Sequence, residues 1–265
     1  MFFQRVLVTF TLGPLIVYLI YLGGAFYYIP VALLLILGTH EYVALLQRIG
    51  YRPMFWLLAP FVTLLWVDGQ WPEYGLTSPI LLTGLLAFMM LALWQYEKSE
   101  PTGVAASWMS MMAGLLYLGW LGSHFFRLRA LPDMAWQWTG LTVITIWIAD
   151  SFAYVIGRRF GRHKLSPRLS PNKTVEGYVG GIVGGIISAC VLAYLLNVNV
   201  VLAMGLALII SSIAPMGDLA ISLLKRSAGV KDSGNLLPGH GGALDRTDSL
   251  VWSVALAFYF LSYVL

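Results

Sequence analysis

Nine apolar runs, most of them close to 20 residues long, constrain this chain more than any other feature. They lie near residues 6–24, 26–47, 53–67, 79–96, 104–125, 138–157, 177–196, 200–224 and 249–264. A helix needs about 20 mostly apolar residues to cross the hydrocarbon core of a bilayer. The third run is short and holds Pro53 and Pro60, so a broken or tilted segment is expected there. Composition agrees: 59% of the 265 residues are apolar and 11% are charged. Soluble domains carry about 45–50% and about 25%, and disordered chains are more polar still. The only cysteine, Cys190, stands in an apolar run and can make no intrachain disulfide. The expected fold is an all-α polytopic membrane protein with about nine transmembrane helices. The first run follows a basic residue as a signal peptide does, but no Ala-x-Ala-like cleavage site follows it, so residues 6–24 read as a retained helix.

The charges set an expected orientation. Lys and Arg collect in cytoplasmic loops. With the N-terminus in the cytoplasm, 14 of the 16 Lys and Arg residues fall on the inside, and only Arg127 and Arg129 fall outside. Nine spans then put the C-terminus outside. The expectation is a multi-pass protein of the cell membrane whose active site faces the cytoplasm. Ten of the 14 inside cations lie in two segments, 157–176 and 225–248. The chain therefore divides into residues 1–137, read as scaffold and substrate access, and residues 138–265, read as a catalytic region carrying those two cytoplasmic loops. The outer loops are short or acidic, with Asp68, Glu73 and Asp133.

The eighth span ends Asp218-Leu-Ala-Ile-Ser222-Leu-Leu-Lys225-Arg226. Asp218, Ser222 and Lys225 stand at i, i+4 and i+7 and so share one helix face. A lipid-facing aspartate costs roughly 2.5–3.5 kcal/mol, so Asp218 is expected to face protein, water or a cation. The following loop holds Lys231, His240, Gly241, Gly242, Asp245, Arg246 and Asp248. Glycines around His240 let backbone approach a ligand closely. Asp245 and Asp248, three residues apart at a helix start, can converge with Asp218. Hard oxygen ligands of this kind suit Mg²⁺, which binds one or two carboxylates plus substrate phosphates. The cations Lys225, Arg226, Lys231 and Arg246 around them suit a polyphosphate.

The other basic segment begins inside the sixth span, where Asp150 and Tyr154 are four residues apart, and continues through Ser170-Pro-Asn-Lys173-Thr174-Val-Glu176. A basic, hydroxyl-bearing run suits phosphate or anionic headgroups. An ionisable residue inside a span, such as Asp150, is a functional candidate by default. Gly177, Gly181 and Gly185 form a small face for close helix packing. His40 and Glu41, late in the second span, read either as a structural polar contact or as part of a substrate cavity.

The run Ser222-Leu-Leu-Lys225-Arg226, then Lys231-Asp232, then Pro238-Gly-His240-Gly-Gly-Ala-Leu-Asp245-Arg246-Thr-Asp248 resembles the signature of the phosphatidate cytidylyltransferases, or CDP-diacylglycerol synthases. Asp150-x-x-Ala-Tyr154-x-x-Gly157-Arg158 and Ser170-Pro-Asn-Lys173-Thr174-x-Glu176-Gly177 resemble the same family. The resemblance covers about residues 145–250. Asn172 and Ala243 depart from it, where a lysine and a larger aliphatic residue are usual.

The resemblance implies that CTP and phosphatidic acid in the bilayer react to CDP-diacylglycerol and pyrophosphate. It implies a metal centre of Asp218, Asp245 and Asp248, with Mg²⁺ and room for a second cation. It implies a catalytic set of these three with Lys225. Substrate would be bound by Asp150, Tyr154, Ser170, Lys173, Thr174, Glu176, Ser222, Arg226, Lys231, His240 and Arg246. Membrane lipids and a second copy of the chain are implied partners, and nucleic acid is not. A CTP-dependent polyprenol or phytol kinase and an ether-lipid cytidylyltransferase are the alternatives within related chemistry. An ion or solute transporter predicts polar residues spread through mid-span, whereas these charges cluster at span ends.

Overall fold

The computed structural model describes residues 2–98, 102–234 and 241–265, with side chains from residue 12 within those ranges. The described residues are mostly helical. In chain order the elements are α1 (Phe2–Leu22), α2 (Gly24–Arg48), α3 (Phe55–Gln70), a 3-10 turn (Pro72–Tyr74), α4 (Thr77–Lys98), α5 (Val104–Gly114), a π-helical segment (Leu115–Leu121) and α6 (Gly122–Arg129). There follow α7 (Ala135–Phe160), β1 (Lys164–Ser166), β2 (Ser170–Thr174), α8 (Val175–Leu196), α9 (Val200–Ser227) and α10 (Leu244–Val264). Among the described residues, seven helical stretches are long and apolar enough to cross a membrane, with α5 to α6 counted as one. Two of the nine expected spans are represented by shorter apolar helices, Leu12–Leu22 and Phe55–Gln70.

Two expected loops are shorter than the charge pattern implied. Helix α7 continues to Phe160, which places Arg158 and Arg159 in its last turn. The rest of that segment folds into an antiparallel hairpin, with Lys164 opposite Thr174 and Ser166 opposite Ser170. The hairpin is closed by a hydrogen bond from the Val175 amide to the His163 carbonyl, 2.9 Å. Helix α9 runs on through Lys225 and Arg226 to Ser227, and α10 starts at Leu244, so Asp245 and Asp248 are helical. Basic residues near a helix C-terminus meet its partial negative charge, so positive charge alone does not mark a helix end.

The chain folds into two compact units, each assembled from separate stretches of sequence. One comprises residues 1–27, 128–223 and 248–265, the other residues 28–127 and 224–247.

In the first unit, α7 and α8 pack backbone to backbone. A Cβ on Gly177 would meet the Ala153 carbonyl oxygen at 2.6 Å, and one on Gly181 would meet that of Ala149 at 3.0 Å. The stripe of small residues therefore does what its spacing predicts. Arg129 donates from Nε to the Ile20 carbonyl at 3.0 Å. Trp138, Leu141, Ile146, Leu206, Ile210 and Val254 are buried.

In the second unit, α3 packs on the π-helical segment, where Gly119 stands against Val62 and Leu65. Trp66 donates its indole N–H to the Leu118 carbonyl at 2.8 Å, and the Tyr42 hydroxyl donates to the Ser110 carbonyl at 2.8 Å. Arg127 pairs with buried Asp68 at 2.7 Å, which also accepts from the Leu76 amide at 2.8 Å and from the Thr77 hydroxyl.

Candidate active site

In the second unit, Lys225 near the end of α9 meets Asp245 in the first turn of α10. The Nζ–Oδ1 distance is 2.5 Å, and the two side chains are only 10% and 7% exposed. The other oxygen of Asp245, Oδ2, accepts from the Ser233 amide at 2.8 Å, the Ser233 hydroxyl at 2.9 Å and the Gly242 amide at 3.0 Å. A carboxylate at a helix start is also favoured by the unpaired N–H groups there. Gly241 sits at φ +78°, and a Cβ on it would lie 2.6 Å from Asp245 Oδ2. The described end of this glycine turn, Gly241 and Gly242, thus closes on this carboxylate.

A second carboxylate braces the same turn. Glu41 of α2 accepts from the Ala243 amide at 3.0 Å through Oε1. Its Oε2 accepts from the Leu244 amide at 2.8 Å and the Ser233 hydroxyl at 2.8 Å. Ser233 has one hydroxyl proton, so it serves Glu41 and Asp245 in turn. Of the two sequence readings of Glu41, the described hydrogen bonds are those of a structural contact. Its neighbour His40 is exposed and packs edge-on against Phe55, with ring centroids 5.5 Å apart.

In the first unit, Lys173 of β2 lies 2.6 Å from Asp218 Oδ2, with side chains 27% and 35% exposed. Ser222, one turn on from Asp218, donates to its Oδ1 at 3.3 Å. The hairpin that carries Lys173 is pinned at both ends. Thr174 is buried and caps α8, accepting from the Gly177 amide at 3.1 Å. Glu176 accepts from the Arg162 amide at 3.0 Å. It also accepts from the His163 amide at 3.2 Å and from His163 Nδ1 at 2.6 Å. Glu176 and Thr174 therefore hold the hairpin, and Lys173 is the member of that run that pairs with Asp218.

The remaining expected residues are dispersed. Ser170 pairs across the hairpin with Ser166. Tyr154 is exposed and accepts from Arg158 at 3.1 Å. Asp150, Tyr178 and Ser211 line a cavity of about 20 Å³, room for one water molecule. Asp248 is buried, and its Oδ1 accepts from the Ser249 amide at 2.7 Å. Arg226, Lys231 and Arg246 are exposed, and Arg226 donates to the Val230 carbonyl at 3.2 Å. His240 lies outside the described residues. Among the described residues, no group of three or more His, Cys, Asp or Glu side chains could hold a metal ion. Asp218 and Asp245 each hold a lysine instead. Sequence reasoning missed Ser233, a single serine between Asp232 and Gly234 with no spacing to mark it.

A profile of the cytidylyltransferase family matches residues 3–264 of the chain. Curated relatives carry the name phosphatidate cytidylyltransferase. One from Synechocystis is 34% identical over 282 residues, spanning 92% of this chain and 90% of the relative. One from Brucella abortus is 33% identical over 268 residues, spanning 97% and 92%. One from Staphylococcus aureus is 35% identical over 173 residues, spanning 64% and 65%.

Proposed function

The chain belongs to the cytidylyltransferase family, and on that premise we propose that it transfers the cytidylyl group of CTP to phosphatidic acid, giving CDP-diacylglycerol and pyrophosphate in phospholipid biosynthesis. The observation that carries this reading is the likeness along nearly the whole chain to proteins named for that activity. A phosphatidate oxygen attacks the α-phosphorus of CTP. One P–O bond forms, the bond to the bridging α–β oxygen breaks, and pyrophosphate leaves with the electron pair. Phosphatidate is already an anion at neutral pH, so catalysis rests on positioning and charge neutralisation more than on a base.

Lys225 and Lys173 are the cations we assign to phosphate. Each already holds an anionic group, and a phosphate oxygen can take the carboxylate's place. Ser222, Arg226, Lys231 and Arg246 add donors near the ends of α9 and α10. His240, Ser170, Thr174, Glu176, Asp150 and Tyr154 are assigned to the substrate-binding region.

Mg²⁺ is the proposed cofactor, with Asp218, Asp245 and Asp248 as its candidate ligands. The donors are hard oxygens, as Mg²⁺ prefers. Asp218 fits best, being partly open and held at Oδ1 only by the long bond from Ser222. Asp245 has its Oδ2 filled by three donors, so only Oδ1, now on Lys225, could serve. The ion, when bound, would neutralise charge on the attacking and leaving oxygens. We further propose a homodimer in the cell membrane with the active site toward the cytoplasm, in keeping with the 14-to-2 division of basic residues.

The test uses purified protein in lipid–detergent micelles with phosphatidic acid, radiolabelled CTP and Mg²⁺. The expected result is labelled CDP-lipid plus pyrophosphate, abolished by EDTA and by Asp245→Asn. Phosphate moved onto added polyprenol, with no label in the lipid, would make the chain a CTP-dependent kinase. No turnover with any lipid acceptor would overturn the assignment.

A further inference from the structure

Glu41 is a carboxylate on a helix apolar enough to cross a membrane, where charge is costly and generally marks function. Its partners, the Ser233 hydroxyl and the Ala243 and Leu244 amides, stand 192, 202 and 203 residues away in sequence. The packing around it is shaped to admit it. A Cβ on Gly234 or on Gly242 would come within 2.3 Å of a Glu41 oxygen. No side chain could stand at either position without displacing Glu41.

The residue before α10 is Ala243, which has no side-chain oxygen with which to cap the helix. A Ser, Thr, Asp or Asn there would accept from the Asp245 or Arg246 amide. The Ala243 and Leu244 amides, which begin the helix, are satisfied from α2 by Glu41. The geometry of the first turn is therefore set by where α2 stands, and Asp245 lies in that turn. Ser233 ties the arrangement together, since its hydroxyl reaches Glu41 Oε2 at 2.8 Å and Asp245 Oδ2 at 2.9 Å.

We propose that Glu41 is a positioning residue of the transfer reaction: through the Ala243 and Leu244 amides and the Ser233 hydroxyl it fixes the orientation in which Asp245 is presented. This rests on the reading of Asp245 as an active-site carboxylate. Glu41 touches no reacting atom. Its glutamine variant keeps the size but turns an NH₂ group toward N–H and O–H donors, so at least one partner is lost.

The experiment compares wild type with Glu41→Gln, Ser233→Ala, the double variant, Tyr42→Phe and Asp245→Asn. It measures kcat, KM for each substrate, and amide hydrogen exchange over residues 241–247. Glu41→Gln is expected to lower kcat by about 10–100-fold, the range seen when a group that orients a functional ligand is lost. The KM for phosphatidic acid should stay within a few-fold, and the Ala243 and Leu244 amides should exchange faster. Ser233→Ala should lose less in the same direction, and the double variant should be no worse than Glu41→Gln alone. Tyr42→Phe removes a buried hydrogen bond from the same helix and should keep wild-type kcat. A normal kcat in Glu41→Gln overturns the proposal. So does a loss confined to the yield of folded protein, or an equal loss in Tyr42→Phe. If Glu41→Gln does not fold, a normal kcat in Ser233→Ala is decisive against it. Asp245→Asn separates the two readings. Activity near wild type removes Asp245 from the site and this proposal with it. An inactive Asp245→Asn beside a normal Glu41→Gln removes this proposal alone.

Discussion

The two lysine–carboxylate pairs look alike in chemistry and differ in burial, and that difference decides what their loss does. Lys225 and Asp245 are nearly closed off from solvent. Removing one partner of a buried pair leaves an uncompensated charge and costs about 3–5 kcal/mol. Lys173 and Asp218 stay partly exposed, and exposed pairs are worth about 0–1 kcal/mol. Lys225→Ala is therefore expected to lower both turnover and the unfolding temperature in detergent. Lys173→Ala should lower turnover at nearly unchanged thermal stability. Lys164→Ala, exposed on β1, should do far less than Lys225→Ala to either. A thermal scan beside an activity assay for each variant checks this, and a large stability loss in Lys173→Ala would contradict the burial argument. The charge pattern named Lys225, Asp245, Lys173 and Asp218 as functional candidates. It did not show that Lys173 pairs with Asp218, because the residues that set that contact lie on a hairpin and on a helix 45 residues later.

Among the elements, α8 carries the sharpest constraint. Its glycines bring its backbone against α7, and a methyl group on Gly177 would stand 2.6 Å from a backbone oxygen, which cannot swing aside as a side chain can. Gly177→Ala is expected to destabilise the first unit by about 1–3 kcal/mol, the usual cost of overpacking. It should also cost activity, because Gly177 donates to the Thr174 cap that ends β2 beside Lys173. Unfolding in detergent measured against wild type checks the first part. Helix existence was plain in the sequence: the run at 79–96 became Thr77–Lys98 and that at 177–196 became Val175–Leu196. The hairpin was not. Its strands are three and five residues long, and Ser-Pro-Asn-Lys-Thr shows no alternation of apolar and polar residues. Nor was the π-helical segment legible, since it differs from its neighbours in hydrogen-bond register and not in composition.

At the scale of the whole molecule, the two basic residues that fall on the minority side both have internal work: Arg127 pairs with Asp68 and Arg129 binds the Ile20 carbonyl. The proposed orientation rests on the other 14. With Cys190 replaced by alanine, Arg168→Cys on the exposed hairpin should resist a membrane-impermeant maleimide in intact cells, while Glu73→Cys in the 3-10 turn should react. The reverse pattern would invert the topology. The division at 137/138 rests on charge, which clusters only beyond that point, and the compact units are built from interleaved stretches. Charge clustering reports where headgroups and nucleotides can be met, while packing reports which helices share a core.

The interleaving has a temporal consequence at Glu41. Its partners follow it by 192 to 203 residues, and chains are made at about 5–20 residues per second, so this carboxylate waits roughly 10–40 s for them. Throughout that interval a nascent chain holds an acidic side chain in an apolar helix without the amides that later receive it. A chain released before residue 243 never acquires either of the two amides that receive Glu41 in the finished unit.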